Sequence, residues 1–483
     1  MWGKMHASLL RAGTLCGRSM AMIRQTLQGV PGLCAFALAA LFLAAAPAIG
    51  HAQGRIVGQV VQSGMPSGDA VLATSIPSGT SQGWLAQFAG NPAGPPQFLA
   101  VNKQAQELYV FEQKSPLAMV EKITCTTGER EGDKLVEGDL RTPEGVYFIQ
   151  QRLSAGLDYK DYGTLAHTLN YPNPVDRLKG KTGGGIWIHG RGHQITPRET
   201  KGCVALNNDA ILELDKRLSR NLPVLIAHNV DWRPEDTNFA ESETLVRLVE
   251  DWTRAWESRS DTFFDFFDAE KFSKSGDESF QAFKAHKANL FKNLPWLQVR
   301  SHNIHALPGP DYWVTWFEQY YRSPSLSSGG IKRLYWMKDA TGNWRVVGNE
   351  WVDADQESLR GMEARYLLDS LQQVRELVDA WRDSWLKADL DRYMAFYGNA
   401  ASQGGRYGKR AIQDHKLAIW TDKRPTRVEF GALDVKLHPQ GLVVGFSQEY
   451  EDAKGYKDKG FKTLVMQPRG NGWEILSEDW QAM

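Results

Sequence analysis

The chain is poor in cysteine, with 4 in 483 residues, which excludes a small disulfide-built scaffold. It has no surplus of either charge, since 56 Lys and Arg balance 56 Asp and Glu. A nucleic-acid partner, which requires a basic excess, is therefore not expected. Beyond residue 48 no apolar run is long enough to span a bilayer. The 42% apolar content is still ample for packed cores and too high for a disordered chain. A chain this long is expected to form more than one domain.

Residues 1–52 contain no acid at all; the first is Asp69. Lys4, Arg11, Arg18 and Arg24 precede one apolar stretch, 33–48, and small residues follow through Ala52. A basic start, a short apolar centre and a small-residue exit predict a secretory signal peptide over 1–52. An uncleaved N-terminal anchor is the alternative reading. Cleavage would place the protein in the periplasm with no membrane span. It would leave 52 basic against 56 acidic residues, a net charge of −4. Cys16 and Cys34 would depart with the signal, leaving Cys125 and Cys203 in an oxidising compartment. A disulfide between those two is an open alternative. Residues 53–97, rich in Gly, Ser, Pro and Gln, read as a flexible leader.

The second half repeats itself. Trp252 and Trp256 recur 129 residues later as Trp381 and Trp385, and the same offset carries His286-Lys287 to His415-Lys416. Phe317 and Gln319 likewise map to Phe446 and Gln448, Tyr321 to Tyr450, and Glu350-Trp351 to Asp479-Trp480. Two tandem copies, 240–355 and 369–483, follow. Each opens with a helix whose indoles share one face, and closes in strands separated by turns such as Thr341-Gly342-Asn343. Of the 17 tryptophans, 13 lie beyond residue 240. Core packing is their expected role, with a ligand-facing aromatic pocket as the alternative.

Residues 98–232 carry the chemistry. An apolar strand, Ile186-Trp187-Ile188, ends in His189-Gly190, and fourteen residues after His189 comes Cys203, preceded by Thr200-Lys201-Gly202. Neutral imidazole can accept a thiol proton, and a glycine turn can offer backbone N–H groups to an oxyanion. A helix expected from Asn208 would place Cys203 near its positive end, lowering the thiol pKa. His189-x3-His193 has zinc-like spacing, but glycines break any helix there and no Glu follows His189. No metal and no cofactor are expected.

His189-Gly190, Thr200-Lys201-Gly202-Cys203 and Arg141-Thr142-Pro143-Glu144-Gly145 together resemble the L,D-transpeptidase (YkuD) family. Lys201 before the Gly-Cys, Ala205 after it, and Tyr171-Pro172-Asn173 resemble its YafK-like and helical-cell-shape L,D-carboxypeptidase subgroup. The long helix followed by curved strands resembles the NTF2-like fold. The implied fold is α+β: a mostly-β catalytic domain followed by two tandem NTF2-like cones. The implied activity is an acyl transfer at the meso-diaminopimelate–D-Ala bond of peptidoglycan stem peptides. Cys203 would be the nucleophile and His189 the base and acid. The Gly190 carbonyl would orient the imidazole, and the Gly202 and Cys203 N–H groups would hold the oxyanion. Lys201, Arg191 and Thr200 would meet the substrate. The repeats would take a wall or protein ligand. A catalytically idle wall-binding or scaffold protein, acting through those repeats, is the alternative.

Overall fold

The computed structural model describes residues 83–114, 116–235, 240–276 and 278–483. The signal peptide expected over 1–52, and the leader as far as residue 82, lie outside them. Among the described residues no helix is long and apolar enough to cross a membrane.

The leader's described end is not loose. Strand β1 (Leu85–Ala89) pairs in parallel with a strand over Asn229–Arg233, fastening the front of the catalytic domain to its exit. Then come β2 (Gln97–Asn102), β3 (Glu107–Glu112), β4 (Ala118–Thr124) and β5 (Gly145–Leu153). The short helix α1 (Tyr159–Tyr162), β6 (Ala166–Leu169) and α2 (Pro174–Leu178) follow. The domain closes with β7 (Trp187–Arg191), β8 (Val204–Asn207), α3 (Asn208–Asp215), β9 (Pro223–Ala227) and β10 (Asn229–Arg233). Eight of these strands form one sheet, ordered β4-β3-β2-β9-β5-β6-β7-β8. Alternate residues such as Leu99, Val101, Leu108 and Val110 fill one core, together with Ile188, Val204, Leu206 and Ile211. Period-2 side-chain alternation is what sends these residues to a common face.

The first repeat begins with α4 (Ala240–Glu257), followed by a 3₁₀ turn over Asp261–Phe266, α5 (Ala269–Ser275) and α6 (Phe280–Asn293). An antiparallel sheet of β11 (Gln298–Pro308), β12 (Trp313–Ser323), β13 (Leu326–Lys338) and β14 (Trp344–Asp353) completes it. Trp252 and Trp256 are buried against Phe263, Phe317 and Tyr321 on the inner face. The outer face is covered as well: Tyr312, Val314, Trp316 and Tyr335 pack on Val146, Phe148 and Val175 of the catalytic domain.

The second repeat starts earlier than its sequence suggests. Helix α7 (Gln356–Leu386) begins thirteen residues before position 369 and runs 31 residues, because nothing between the copies breaks it. Asp355 caps it, accepting from the Ser358 N–H at 2.7 Å. After α8 (Leu390–Ala395), β15 (Tyr397–Gln403), β16 (Arg406–Tyr407) and α9 (Lys409–Asp422) come five more strands. These are β17 (Pro425–Phe430), β18 (Asp434–His438), β19 (Gly441–Asp452), β20 (Lys457–Arg469) and β21 (Gly472–Ala482). Trp381 and Trp385 occupy its core as Trp252 and Trp256 occupy the first.

Candidate active site

Strands β7 and β8 run parallel at the edge of the catalytic sheet, with His189 opposite Ala205. Cys203 lies two positions before Ala205, just ahead of the strand, so alternation turns its side chain to the face that carries His189. Nδ1 of His189 lies 2.6 Å from the Gly190 carbonyl oxygen. A carbonyl only accepts, so Nδ1 holds the proton and Nε2 presents a lone pair. Burial pushes the imidazole down to about 4; the Gly190 carbonyl opposes this and the neighbouring Arg191 charge adds to it. The ring is therefore neutral at pH 7, in the state a proton acceptor needs.

The turn holding Cys203 is built by Thr200 and Gly202. The Thr200 hydroxyl donates to the Cys203 carbonyl at 2.7 Å and accepts from the Gly202 N–H at 3.2 Å. Gly202 has φ +134°, and a Cβ there would stand 2.8 Å from the Arg141 carbonyl oxygen. Only glycine serves at this position. The segment around Arg141-Thr142 is thus the wall behind the turn, and the Thr142 hydroxyl accepts from the Gly128 N–H at 2.8 Å.

Several expectations need correction. A four-residue strand separates Cys203 from helix α3, so no helix terminus bears on the sulfur. Its thiol instead rises above the ordinary value through burial, opposed by the Trp187 N–H and by the charges of Arg191 and Lys134. The thiol donates to the Gly185 carbonyl at 3.4 Å. Both shifts run against a thiolate–imidazolium pair. The Thr200 hydroxyl shapes the turn, with its proton committed to the Cys203 carbonyl. Arg191 is already held by the Asp161 carboxylate and carbonyl and by Glu199. Gly202 N–H is engaged with Thr200, which leaves the Cys203 N–H as the amide of the turn without a protein acceptor among the described residues. Lys201, next but one to Cys203, is exposed. Cys125 and Cys203 are both free; Cys125 is buried in the core.

Tyr162 is the residue that sequence reading missed. Its ring stands 5.1 Å from the His189 ring, edge to face, and 5.2 Å from that of Trp187. Its phenol is raised by burial and then by the charge of an ionised Cys203, which places it beside both members of the pair. Two glycines bring it there. A Cβ on Gly163, at φ +62°, would lie 2.8 Å from the Gly190 carbonyl carbon. Only a bare backbone lets α1 approach β7 this closely. Tyr162 caps the imidazole, so removing its ring should admit water and let His189 titrate nearer its ordinary value of about 6.5. A base works only when unprotonated, so the acid limb of kcat/KM should lie near pH 4 in the native protein. In Tyr162→Ala it should move upward by a pH unit or more, while Tyr162→Phe keeps the native limb. A limb that stays put in the alanine variant would remove this role.

Residues 96–226 match the L,D-transpeptidase catalytic domain (YkuD), and residues 244–350 and 373–479 each match the NTF2-like C-terminal domain named for Cds6. The two NTF2-like matches are again 129 residues apart at both ends. The chain carries an L,D-transpeptidase catalytic domain. It continues into two NTF2-like domains in tandem, a mostly-β domain followed by two α+β cones. Among solved structures, Bd1075 of Bdellovibrio bacteriovorus is 28% identical at a TM-score of 0.45, with 56% of this chain and 98% of that one covered. The helical cell shape determining protein Pgp2 of Campylobacter jejuni is 26% identical at a TM-score of 0.45, covering 54% and 94%. A cystatin-like-fold protein of Nostoc punctiforme is 13% identical at a TM-score of 0.21, covering 23% and 90%. No curated protein matches.

Proposed function

We propose that this chain is an exported, cysteine-dependent peptidoglycan enzyme that forms an acyl-enzyme at the meso-diaminopimelate–D-Ala bond of stem peptides. The observation that carries the reading is the 2.6 Å contact fixing His189 Nδ1 on the Gly190 carbonyl, with Cys203 at the mouth of the strand that pairs beside His189. As Cys203 Sγ attacks the carbonyl carbon, its proton passes to His189 Nε2, and the oxyanion takes the Cys203 N–H. Collapse breaks the C–N bond, and the imidazolium returns the proton to the departing D-Ala amine. The thioester is then resolved by water, giving a tripeptide, or by an amine, giving a cross-link. His189 removes the acceptor's proton in either case.

The raised thiol favours proton transfer concerted with attack over a standing thiolate. Purified muropeptides incubated with the protein and analysed by mass spectrometry test the reading. Tripeptides indicate trimming, and 3–3 dimers indicate transpeptidation. An unchanged profile at micromolar enzyme overturns it and leaves the binding-protein alternative. Export over 1–52 belongs to the same proposal. A reporter fused after residue 52 that stays in the cytoplasm would refute it.

A further inference from the structure

The turn that joins β2 to β3 holds a side chain that is bonded directly to the loop ending at Cys203. Gln106 has φ +55° and is 6% exposed. Its amide nitrogen donates to the Lys103 carbonyl at 2.6 Å and to the Thr127 hydroxyl at 2.7 Å. Its amide oxygen accepts from the Thr127 N–H at 3.1 Å and from the Arg198 N–H at 3.0 Å. Two donors and two acceptor positions are the whole capacity of a carboxamide, so all of it is committed. The backbone gives no other reason for a glutamine here. A left-handed φ suits glycine or asparagine, and a longer side chain is disfavoured there.

What Gln106 grips is the support of the nucleophile's turn. Residues 198–205 are laid against the segment 126–129. The Thr127 carbonyl accepts from the Thr200 N–H at 3.0 Å, and the Thr200 carbonyl accepts from the Glu129 N–H at 2.9 Å. Thr126 exchanges both backbone hydrogen bonds with Ala205 at 2.8 Å, and its hydroxyl accepts from the Glu199 N–H at 3.1 Å. Cys203 therefore sits on an arch anchored at Thr200 on one side and at Ala205 on the other. Arg198, at φ +57°, begins the approach to that arch. One oxygen of Gln106 thus bonds both the supporting segment, at Thr127, and the loop laid on it, at Arg198. From Thr200 the placement passes to the Cys203 carbonyl through the 2.7 Å hydroxyl contact. Buried networks whose members are all satisfied are the ones that fix a single geometry.

We infer that Gln106 is a positioning residue for Cys203: its carboxamide locks the Arg198–Cys203 loop to Thr127 and so sets where the sulfur and the Cys203 N–H stand. Its consequence for turnover rests on the reading of Cys203 as the nucleophile. Its consequence for the placement of the thiol does not.

Gln106→Asn separates the clamp from the backbone, because asparagine accepts the left-handed conformation and keeps a carboxamide one methylene too short to reach. In the full chain, kcat for D-Ala release from the stem tetrapeptide should fall by about ten- to a hundredfold. KM should stay within about threefold, since attack geometry is lost and no substrate contact is removed. The two free cysteines supply a second readout. Mapped by mass spectrometry at one fixed pH, iodoacetamide should label Cys203 at least fivefold faster in the variant. Cys125, 1% exposed and next to Thr126, should stay unlabelled. Labelling of both cysteines together would mean that the domain has opened, which assigns Gln106 to folding alone and overturns the inference. Asn102→Ala is the control. Asn102 braces the same turn through the Ala105 N–H at 2.9 Å and Asn229 Oδ1 at 2.8 Å, partners that lie outside residues 198–203. Its kcat and its Cys203 labelling should match the native chain within about twofold. An equal loss in Asn102→Ala, or native kcat with native labelling in Gln106→Asn, overturns the positioning role. If the native chain releases no D-Ala, the catalytic reading fails, and the Cys203 labelling rates alone decide the role of Gln106.

Discussion

Replacing Cys203 with alanine should reduce D-Ala release from the stem tetrapeptide by at least about a thousandfold, because loss of a covalent nucleophile removes the pathway itself. The fold should survive the change. The Cys203 thiol donates one long hydrogen bond, to Gly185 at 3.4 Å, accepts from the Trp187 N–H, and keeps part of its surface open to solvent. Losses of that kind stay within about 1 kcal/mol, so Tm should move by no more than a few degrees. The electrostatics add a second, sharper expectation. Burial raises the thiol, so at pH 7 it is overwhelmingly protonated, and alkylation by iodoacetamide should be slow and climb as pH rises past 9. A plateau in alkylation rate below pH 8 would reveal a thiolate–imidazolium pair and overturn the neutral resting state. Cys203→Ser is the graded variant for turnover: a hydroxyl is a far weaker acid and nucleophile than a thiol, so activity should fall by orders of magnitude, and full activity in the serine variant would show that the thiol is not required.

The pair itself was legible in the sequence because both members depend on backbone demands that only particular residues meet. His189 needs the carbonyl of its own successor, and Cys203 needs a glycine at φ +134° before it. Those demands leave short, fixed motifs. Tyr162 left none. Its place over His189 comes from a close approach of Gly163 to Gly190, two segments separated by 27 positions, and a tyrosine before a glycine looks like any other turn. The electrostatic setting of Cys203 was also misjudged. Helical periodicity begins at Asn208 as expected, yet Val204–Asn207 pairs as a strand and removes the sulfur from the helix end. The duplication was plain from a constant offset. The same constancy hid the match of Lys332 to Lys462, which a single added residue displaces and only strand register recovers.

Glu350→Ala should be the most destabilising single change at the joint between the catalytic domain and the first cone, by about 3–5 kcal/mol. Its carboxylate accepts from Arg333 Nη1 at 3.0 Å, from the Tyr335 hydroxyl at 2.9 Å, and from Asn170 Nδ2 at 2.9 Å. Arg333 is 1% exposed, stacks 3.9 Å from the Phe148 ring centre, and donates its other arm to Asn221 Oδ1 at 2.7 Å. Removing the carboxylate would strand this cation in an apolar interface, and that, more than the loss of an attraction, sets the size of the effect. The damage also has a route to the active site. Asn170 follows β6 directly and accepts from the Phe148 N–H at 2.7 Å, and β6 pairs with β7 so that Ala166 lies opposite His189. Urea unfolding should therefore show a midpoint well below that of the native chain. The double variant Glu350→Ala with Arg333→Met should recover much of the loss, because it removes the stranded charge along with its partner. A loss under 1 kcal/mol in the single variant, or no recovery in the double, would mean that water reaches Arg333 and that the joint is held by its apolar contacts alone. In the second cone the equivalent of Glu350 is Asp479. The Arg333–Glu350 pair thus marks the joint with the catalytic domain, and its strength should be measurable wherever the two domains are made to separate.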